Sequence, residues 1–498
     1  MTQNMSVADI MSHSGVAFGT SGARGLVSAM TDRVCFAYTM GFLQHLEAEG
    51  LFSPGQHVAI AGDLRPSSTR IMAACAAAII HMGGHVDYCG FVPSPAVAAY
   101  GFARGMASMM VTGSHIPDDR NGIKFNRPDG EILKADELAM RAQRVNVPDI
   151  FDAHEMLLAT PEMDPLVDVT AAYVARYVDF FGAQALQGLR LGIYEHSAVG
   201  RDLLVMLVEQ MGGQAYRLGR SETFIPVDTE AVRPEDQILA RQWADELHLD
   251  AILSTDGDSD RPLLADENGN WMRGDILGIL CARALGIKAV ATPVSCNSAV
   301  ELCGMFDDVR RTRIGSPFVI EAMQELAKAK HTTICGYEAN GGFLLATPVD
   351  MGGRHLTALP TRDAVLPIMA VLVDAKRRGL ALSMLQDQLP QRYTFSDRLQ
   401  NVPTAQSQSL IRRLQTGSDA DILARLTHMF GALCGQAIHF DTTDGLRISF
   451  DSGDIVHLRP SGNAPELRCY TESADSERAA SLNGAVLRIV RDNAEKGV

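Results

Sequence analysis

The chain has 498 residues, and at about 150 residues per domain that length points to three or four domains. Hydrophobic residues make up 46% and charged residues 21%, an ordinary globular balance that excludes wholesale disorder. The 44 basic and 59 acidic side chains leave a formal charge of −15. That sign argues against nucleic acid or an anionic membrane as partner, while local arginines can still hold a small anion. Nine cysteines without a C-x-x-C pair offer no zinc ribbon or dithiol and read as core residues in a reducing compartment. The N-terminus lacks a signal-peptide pattern, and the richest apolar run, Ile71 to Met82, is too short to span a bilayer. A soluble, cytoplasmic protein is expected.

In chain order, Phe18-Gly-Thr-Ser-Gly-Ala-Arg24-Gly25 comes first. It supplies glycines and an arginine, as a phosphate-facing loop does. It is neither G-x-G-x-x-G nor a Walker loop, and taken alone it reads as a flexible turn. A weak internal repeat follows. His57–Gly62 predicts a strand, Ser67–Met82 a helix, and His85–Cys89 a second strand after Gly83-Gly84. Leu189–Tyr194, Val199–Met211 and Gln214–Leu218 repeat that layout, again with two glycines past the helix, as a left-handed C-terminal cap requires. A degraded third copy runs from Ile287–Val294 through a helix over Ser298–Phe306 to Val309–Gly315.

After each unit a short apolar strand runs into a polar, glycine-containing loop: Ala107–Val111, Asp250–Ser254 and Thr332–Cys335. Ligands of α/β sheets bind beyond the carboxyl ends of strands, so the three loops are expected to face one cleft. The last stretch breaks the pattern. Helices over Ser407–Leu414 and Asp421–Phe430 precede a meander of Leu446–Phe450, Ile455–Leu458 and Glu466–Thr471, then a helix over Ser476–Asn493. The expected fold is three related α/β domains with mixed sheets and a smaller C-terminal α+β domain around a central cleft. Their boundaries are drawn at 1–165, 166–273, 274–389 and 390–498, with the proline-marked acidic stretch 150–166 as the first linker.

The sharpest signal is Thr255-Asp256-Gly-Asp258-Ser-Asp260-Arg261. Alternating aspartates on a strand-end loop place three carboxylates around one point, which suits Mg²⁺ or Ca²⁺. An EF-hand is excluded, because Arg261 occupies the position that needs glycine and Pro262–Ala265 reads as a strand. Thr112-Gly113-Ser114-His115, with Lys124 downstream, sets a serine beside a histidine. It lacks a G-x-S-x-G elbow, and alone it is more simply a capped turn. Arg459-Pro-Ser461-Gly462-Asn463 sits between two strands, where an arginine, a hydroxyl and backbone N–H groups fit a dianionic phosphate as well as an ordinary hairpin turn.

Together and in this order, the loops Gly19–Gly25, Thr112–His115, Asp256–Arg261, Gly336-Tyr-Glu338-Ala-Asn340-Gly341 and Arg459–Gly462 resemble the α-D-phosphohexomutase family over nearly the whole chain. The resemblance implies an isomerase that passes a phosphoryl group through Ser114, with a hexose 1,6-bisphosphate as intermediate and activator. Asp256, Asp258 and Asp260 would hold Mg²⁺ with a phosphate oxygen on Ser114 as fourth ligand. Arg24, Lys124 and Arg261 would stabilise the moving group and handle protons, with His115 a further acid/base candidate. Glu338 and Asn340 would bind sugar hydroxyls, while Arg459, Ser461, Gly462 and Asn463 would clamp the non-reacting phosphate. The partners implied are small hexose phosphates, with monomer or homo-oligomer left open. Interconversion of mannose 6-phosphate and mannose 1-phosphate leads. Glucose phosphates, or both sugars, are the alternative, and a non-catalytic sugar-phosphate binder is a third reading.

The sequence also departs from the family pattern. Asn340 replaces a small hydroxyl, no histidine follows Gly341, and the phosphate loop reads Ser-Gly-Asn-Ala. Pro293-Val-Ser295 and Gly315-Ser316-Pro317 replace segments that often carry a lysine and a histidine. These changes bear on substrate choice. Gly113 stands where alanine is commoner, an exchange expected to be silent for chemistry.

Overall fold

In each repeated unit, a buried apolar strand pairs in parallel, across a helical connection, with a less buried second strand. His57–Gly62 pairs with His85–Phe91 across the helix Ser68–His81. Arg190–Tyr194 pairs with Gln214–Leu218 across Arg201–Gln210. Ala289–Pro293 pairs with Asp308–Thr312. Parallel neighbours need such crossovers. Gly83 and Gly212, at φ +76° and +82°, supply the left-handed residue after the first two helices. The computed structural model describes residues 3–19, 21–461 and 465–495.

The chain divides into two units, Met1–Lys288 with Gly315–Gln386, and Ala289–Ile314 with Asp387–Val498. In the first unit, one mixed sheet runs in the order Ala17–Phe18, Ala23–Leu26, Arg120–Arg127, Ser108–Val111, His57–Gly62, His85–Phe91. The helix Asp32–Ala48 packs on Ser68–His81 and fills its core with Phe36, Phe42, Leu43 and Leu46. A second mixed sheet has the order Gln214–Leu218, Arg190–Tyr194, Ala251–Thr255, Pro262–Ala265. Ile334–Tyr337, Phe343–Leu345 and Leu359–Asp363 pair antiparallel in succession.

The second unit carries a five-stranded antiparallel sheet, ordered Tyr393–Gln400, Glu466–Ser473, Ile455–Pro460, Leu446–Phe450, Ala437–Asp441. Helices Thr404–Leu414, Asp419–Cys434 and Ser476–Glu495 belong to the same unit. Phe430, Phe450, Leu458 and Leu482 lie in its core. The multidomain α/β architecture with mixed sheets and a C-terminal α+β part is thus the observed one.

Several element limits differ from expectation. The two outer strands, Tyr393–Gln400 and Ala437–Asp441, escape the apolar pattern because edge strands expose most of their residues; Phe395 and Ile438 are solvent-facing. The helix expected over Ser298–Phe306 is only Ala299–Leu302. Ser298 donates its hydroxyl to Glu472 instead of capping, and Gly304 turns left-handed at φ +64°. The strand expected at Thr332–Cys335 starts later, at Ile334–Tyr337. All nine cysteines are free thiols, eight of them buried. Among the described residues, no helix is long and apolar enough to cross a membrane.

Candidate active site

The strand Ser108–Val111 ends in a turn whose apex is Ser114, held at φ +57°, a conformation unusual for a residue with a Cβ. A buried network imposes it. The Ser114 N–H donates to Thr112 Oγ1 (2.7 Å), and that hydroxyl donates to Asp63 Oδ2 (2.7 Å). Ser68 and the Arg65 Nε donate to the same carboxylate. Arg65 Nη2 then reaches the carbonyls of Ser114 and Ile116, each at 2.7 Å. Arg65 is 2% exposed, and its guanidinium lies 4.0 Å from the centre of the Phe224 ring. The hydroxyl left projecting, Ser114 Oγ, donates to Asp256 Oδ2 at 2.6 Å.

Asp256 opens the loop between Ala251–Thr255 and Pro262–Ala265. Its Oδ1 accepts the backbone N–H groups of Asp260 and Arg261, closing the loop on itself. Asp256, Asp258 and Asp260 offer one oxygen each within 4.8 Å of one another, all buried. Lys124 Nζ bonds Asp258 Oδ2 at 2.5 Å and also Asp260 Oδ2. The other oxygens, Asp258 Oδ1 and Asp260 Oδ1, are buried without a hydrogen-bond partner. A buried carboxylate oxygen left bare is unusual, and oxygens converging in this way fit a hard divalent cation. Burial and the charges of Asp258 and Asp260 push Asp256 well above the usual carboxylate range. Burial acts on Asp260 too, yet Arg362, Lys124 and Arg261 hold it low.

Cations line the rest of the site. Arg261 Nη1 donates to His115 Nδ1 at 2.9 Å, and that nitrogen lies 3.5 Å from Ser114 Oγ. Since arginine only donates, His115 is neutral with its proton on Nε2. Burial, with Arg261 and Arg24 alongside, pushes His115 down to about 2; it is a poor base in this setting. Burial and Arg261 likewise push Arg24 down to about 10. Among the described residues the Arg24 guanidinium makes no hydrogen bond, so its donors are free for an anion. Gly22 lets its loop close, because a Cβ there would sit 2.0 Å from the Ile123 carbonyl.

In the sugar loop, Asn340 Oδ1 accepts the Gly342 N–H (2.9 Å), and the Asn340 carbonyl accepts the Thr229 hydroxyl (2.7 Å). One oxygen of Glu338 accepts from Arg362 at 3.2 Å. In the second unit, Arg459 Nε donates to Asp444 at 2.9 Å, and Ser461 N donates to the Glu466 carbonyl at 2.9 Å. Gly462 and Asn463 lie outside the described residues.

Family profiles of phosphoglucomutase/phosphomannomutase match three segments: α/β/α domain I over residues 15–145, α/β/α domain III over 273–393, and the C-terminal domain over 402–489. The phosphomannomutase of Salmonella muenchen is 46% identical over 486 residues, covering 97% of each chain. The chain belongs to this family, the α-D-phosphohexomutases. A phosphomannomutase of Sinorhizobium fredii is 42% identical, covering 96% of this chain and 99% of its own. The fold matches a solved phosphoglucomutase/phosphomannomutase family protein of Burkholderia thailandensis at a TM-score of 0.71. Identity there is 19%, with 96% of this chain and 98% of that one covered.

Sequence reasoning missed Arg65 and Arg362. The first follows a predicted strand end as Gly62-Asp63-Leu64-Arg65, a detectable signal; the second lies inside a strand outside any motif. The expectation for Gly113 also needs correction. A Cβ at this position would lie 2.7 Å from Arg65 Cζ and 2.8 Å from its Nε. Arg65 is buried and bonded through Nε and Nη2, so an alanine at 113 has to displace it. Gly113→Ala is expected to lower stability by about 1–3 kcal/mol, as overpacking does, and to slow turnover about tenfold or more by displacing Ser114. Unchanged denaturation midpoint and rate would contradict the arginine clamp.

Proposed function

We propose that this protein is a phosphomannomutase, interconverting mannose 6-phosphate and mannose 1-phosphate through a phosphoserine at Ser114 and a hexose 1,6-bisphosphate. The observation that carries the reading is the Ser114 hydroxyl, raised on a strained turn and aimed at Asp256 within the aspartate cluster. Both phosphomannomutase relatives extend over nearly the full chain, which favours mannose over glucose as the sugar. The four-domain division, with boundaries near 165, 273 and 389, is part of this proposal.

Asp256, Asp258 and Asp260 would hold Mg²⁺, together with a phosphate oxygen carried on Ser114. When bound, the metal supplies neutralisation of charge on the transferring phosphoryl group. Arg24, with unengaged donors, binds that group's oxygens, and Arg261 stands beside it while fixing the His115 ring. Lys124 holds Asp258 and Asp260 in place. Glu338 accepts from sugar hydroxyls, and Asn340 offers its amide N–H groups. Arg459, Ser461, Gly462 and Asn463 bind the non-reacting phosphate, a role that serves both substrate orientations equally. Hexose 1,6-bisphosphate rephosphorylates Ser114 whenever the intermediate escapes, which makes it an activator.

Two measurements test this. With Mg²⁺ and a trace of hexose 1,6-bisphosphate, wild-type protein should convert mannose 1-phosphate faster than glucose 1-phosphate. Ser114→Ala should lose on the order of a thousandfold or more in rate; a surviving rate would exclude the serine relay. For the cation, saturation at a hundred times the dissociation constant stabilises by about 2.7 kcal/mol. Mg²⁺ should therefore raise the melting temperature of the wild type and leave that of Asp258→Asn unmoved. An equal rise in both would remove Asp258 from the cation site.

A further inference from the structure

In the second unit, the turn 441–445 joins the strands Ala437–Asp441 and Leu446–Phe450, and several contacts fix it. The Thr443 N–H donates to Asp441 Oδ1 at 2.7 Å, and Arg313 Nε donates to the Thr443 carbonyl at 3.2 Å. His457, 2% exposed, donates from Nε2 to the Asp444 carbonyl at 2.6 Å. Gln415 Nε2 donates to the Gly445 carbonyl at 2.9 Å. Gly445 sits at φ +88°, and a Cβ there would strike the Leu458 carbonyl oxygen and lie 3.0 Å from Arg459 Cα. The turn is therefore pressed against the backbone that carries Arg459, an approach only glycine permits.

This turn delivers one carboxylate oxygen to the arginine. Asp444 Oδ2 accepts from Arg459 Nε at 2.9 Å and from the Ile314 N–H at 3.0 Å. Only Nε is taken. Among the described residues, Nη1 and Nη2 of Arg459 make no hydrogen bond, so the terminal pair of donors stays open. A guanidinium held by Nε presents its other two nitrogens along one fixed edge, and two parallel N–H donors on one edge match two oxygens of a phosphate.

We propose that Asp444 is a positioning residue for the phosphate clamp, fixing the plane of the Arg459 guanidinium so that its terminal nitrogens meet the non-reacting phosphate of either sugar phosphate. The inference rests on the reading of Arg459 as part of that clamp. Arginine has several rotatable bonds, and ordering such a side chain on binding costs affinity; a partner that orders it beforehand removes the cost. Contacts to the non-reacting phosphate count equally in the ground state and the transition state, so they act on KM rather than kcat. The charge of Asp444 works in the opposite sense, since a carboxylate beside a dianion weakens its binding. Placement and charge are separable. Asparagine keeps an acceptor oxygen for Arg459 and Ile314 and drops the charge, whereas glutamate keeps the charge and moves its oxygens outward by one methylene.

The test compares kcat and KM for mannose 1-phosphate and mannose 6-phosphate in the wild type, Asp444→Ala, Asp444→Glu, Asp444→Asn, Arg459→Ala and the Asp444→Ala/Arg459→Ala double variant. Asp444→Ala should raise both KM values about threefold to tenfold and leave kcat within about twofold. Asp444→Glu should do the same, and it carries the test if the alanine variant fails to fold. Asp444→Asn should bind both sugar phosphates at least as tightly as the wild type. In the Arg459→Ala background, Asp444→Ala should change KM no further. Calorimetric dissociation constants for mannose 6-phosphate on Ser114→Ala protein, with and without Asp444→Ala, should differ by the same factor. A wild-type KM in folded Asp444→Ala or Asp444→Glu, equal changes in the asparagine and alanine variants, or an undiminished effect without Arg459 overturns the role of Asp444 alone. An unchanged KM in Arg459→Ala, or no turnover of either sugar phosphate by the wild type, overturns the underlying reading and this inference with it.

Discussion

Three buried aspartates in one short loop set the constraint that the rest of the catalytic unit answers. Like charges about 4–5 Å apart repel by roughly 3–4 kcal/mol per pair at an effective dielectric constant near 20, and burial adds to that. Lys124 and Arg362 bond directly to the cluster, and Arg261 and Arg24 stand close by. Even so, two carboxylate oxygens remain bare and Asp256 stays pushed toward its protonated form. What the surrounding cations leave unmet is coordination, since Asp258 Oδ1 and Asp260 Oδ1 have no hydrogen-bond partner; converging oxygens of this kind fit a hard divalent cation.

The second constraint is geometric. Ser114 is held in a left-handed backbone conformation, an arrangement that persists only where the surroundings enforce it. The enforcement comes from Asp63 and Arg65, at the end of a neighbouring parallel strand, and it leaves no room for a side chain at 113. The parallel order of His57–Gly62 and Ser108–Val111 brings the two strand ends together. The sheet thus sets the serine where the aspartate loop can reach it.

Much of this was legible in the letters. Strand–helix–strand repeats announce themselves through apolar runs and paired glycines, and the aspartate loop through its alternation and its place after a strand. The outer strands Tyr393–Gln400 and Ala437–Asp441 were hidden because a solvent-facing edge carries no apolar alternation. Arg65 and Arg362 were hidden for a different reason. Their importance lies largely in what they touch at distances of 24 to 341 residues along the chain, and local pattern holds no record of such contacts. Gly113 and Gly342 are the visible half of these relations: each lacks a side chain because a distant arginine fills the space.

In the proposed reaction Ser114 is the group that holds and returns phosphate. The most direct measurement is the intact mass of the protein after incubation with hexose 1,6-bisphosphate and Mg²⁺, followed by peptide mapping. The protein should gain one phosphate, located on Ser114 and lost when mannose 6-phosphate is added. A phosphate on another residue, or one that stays on when the sugar phosphate is supplied, would contradict this role.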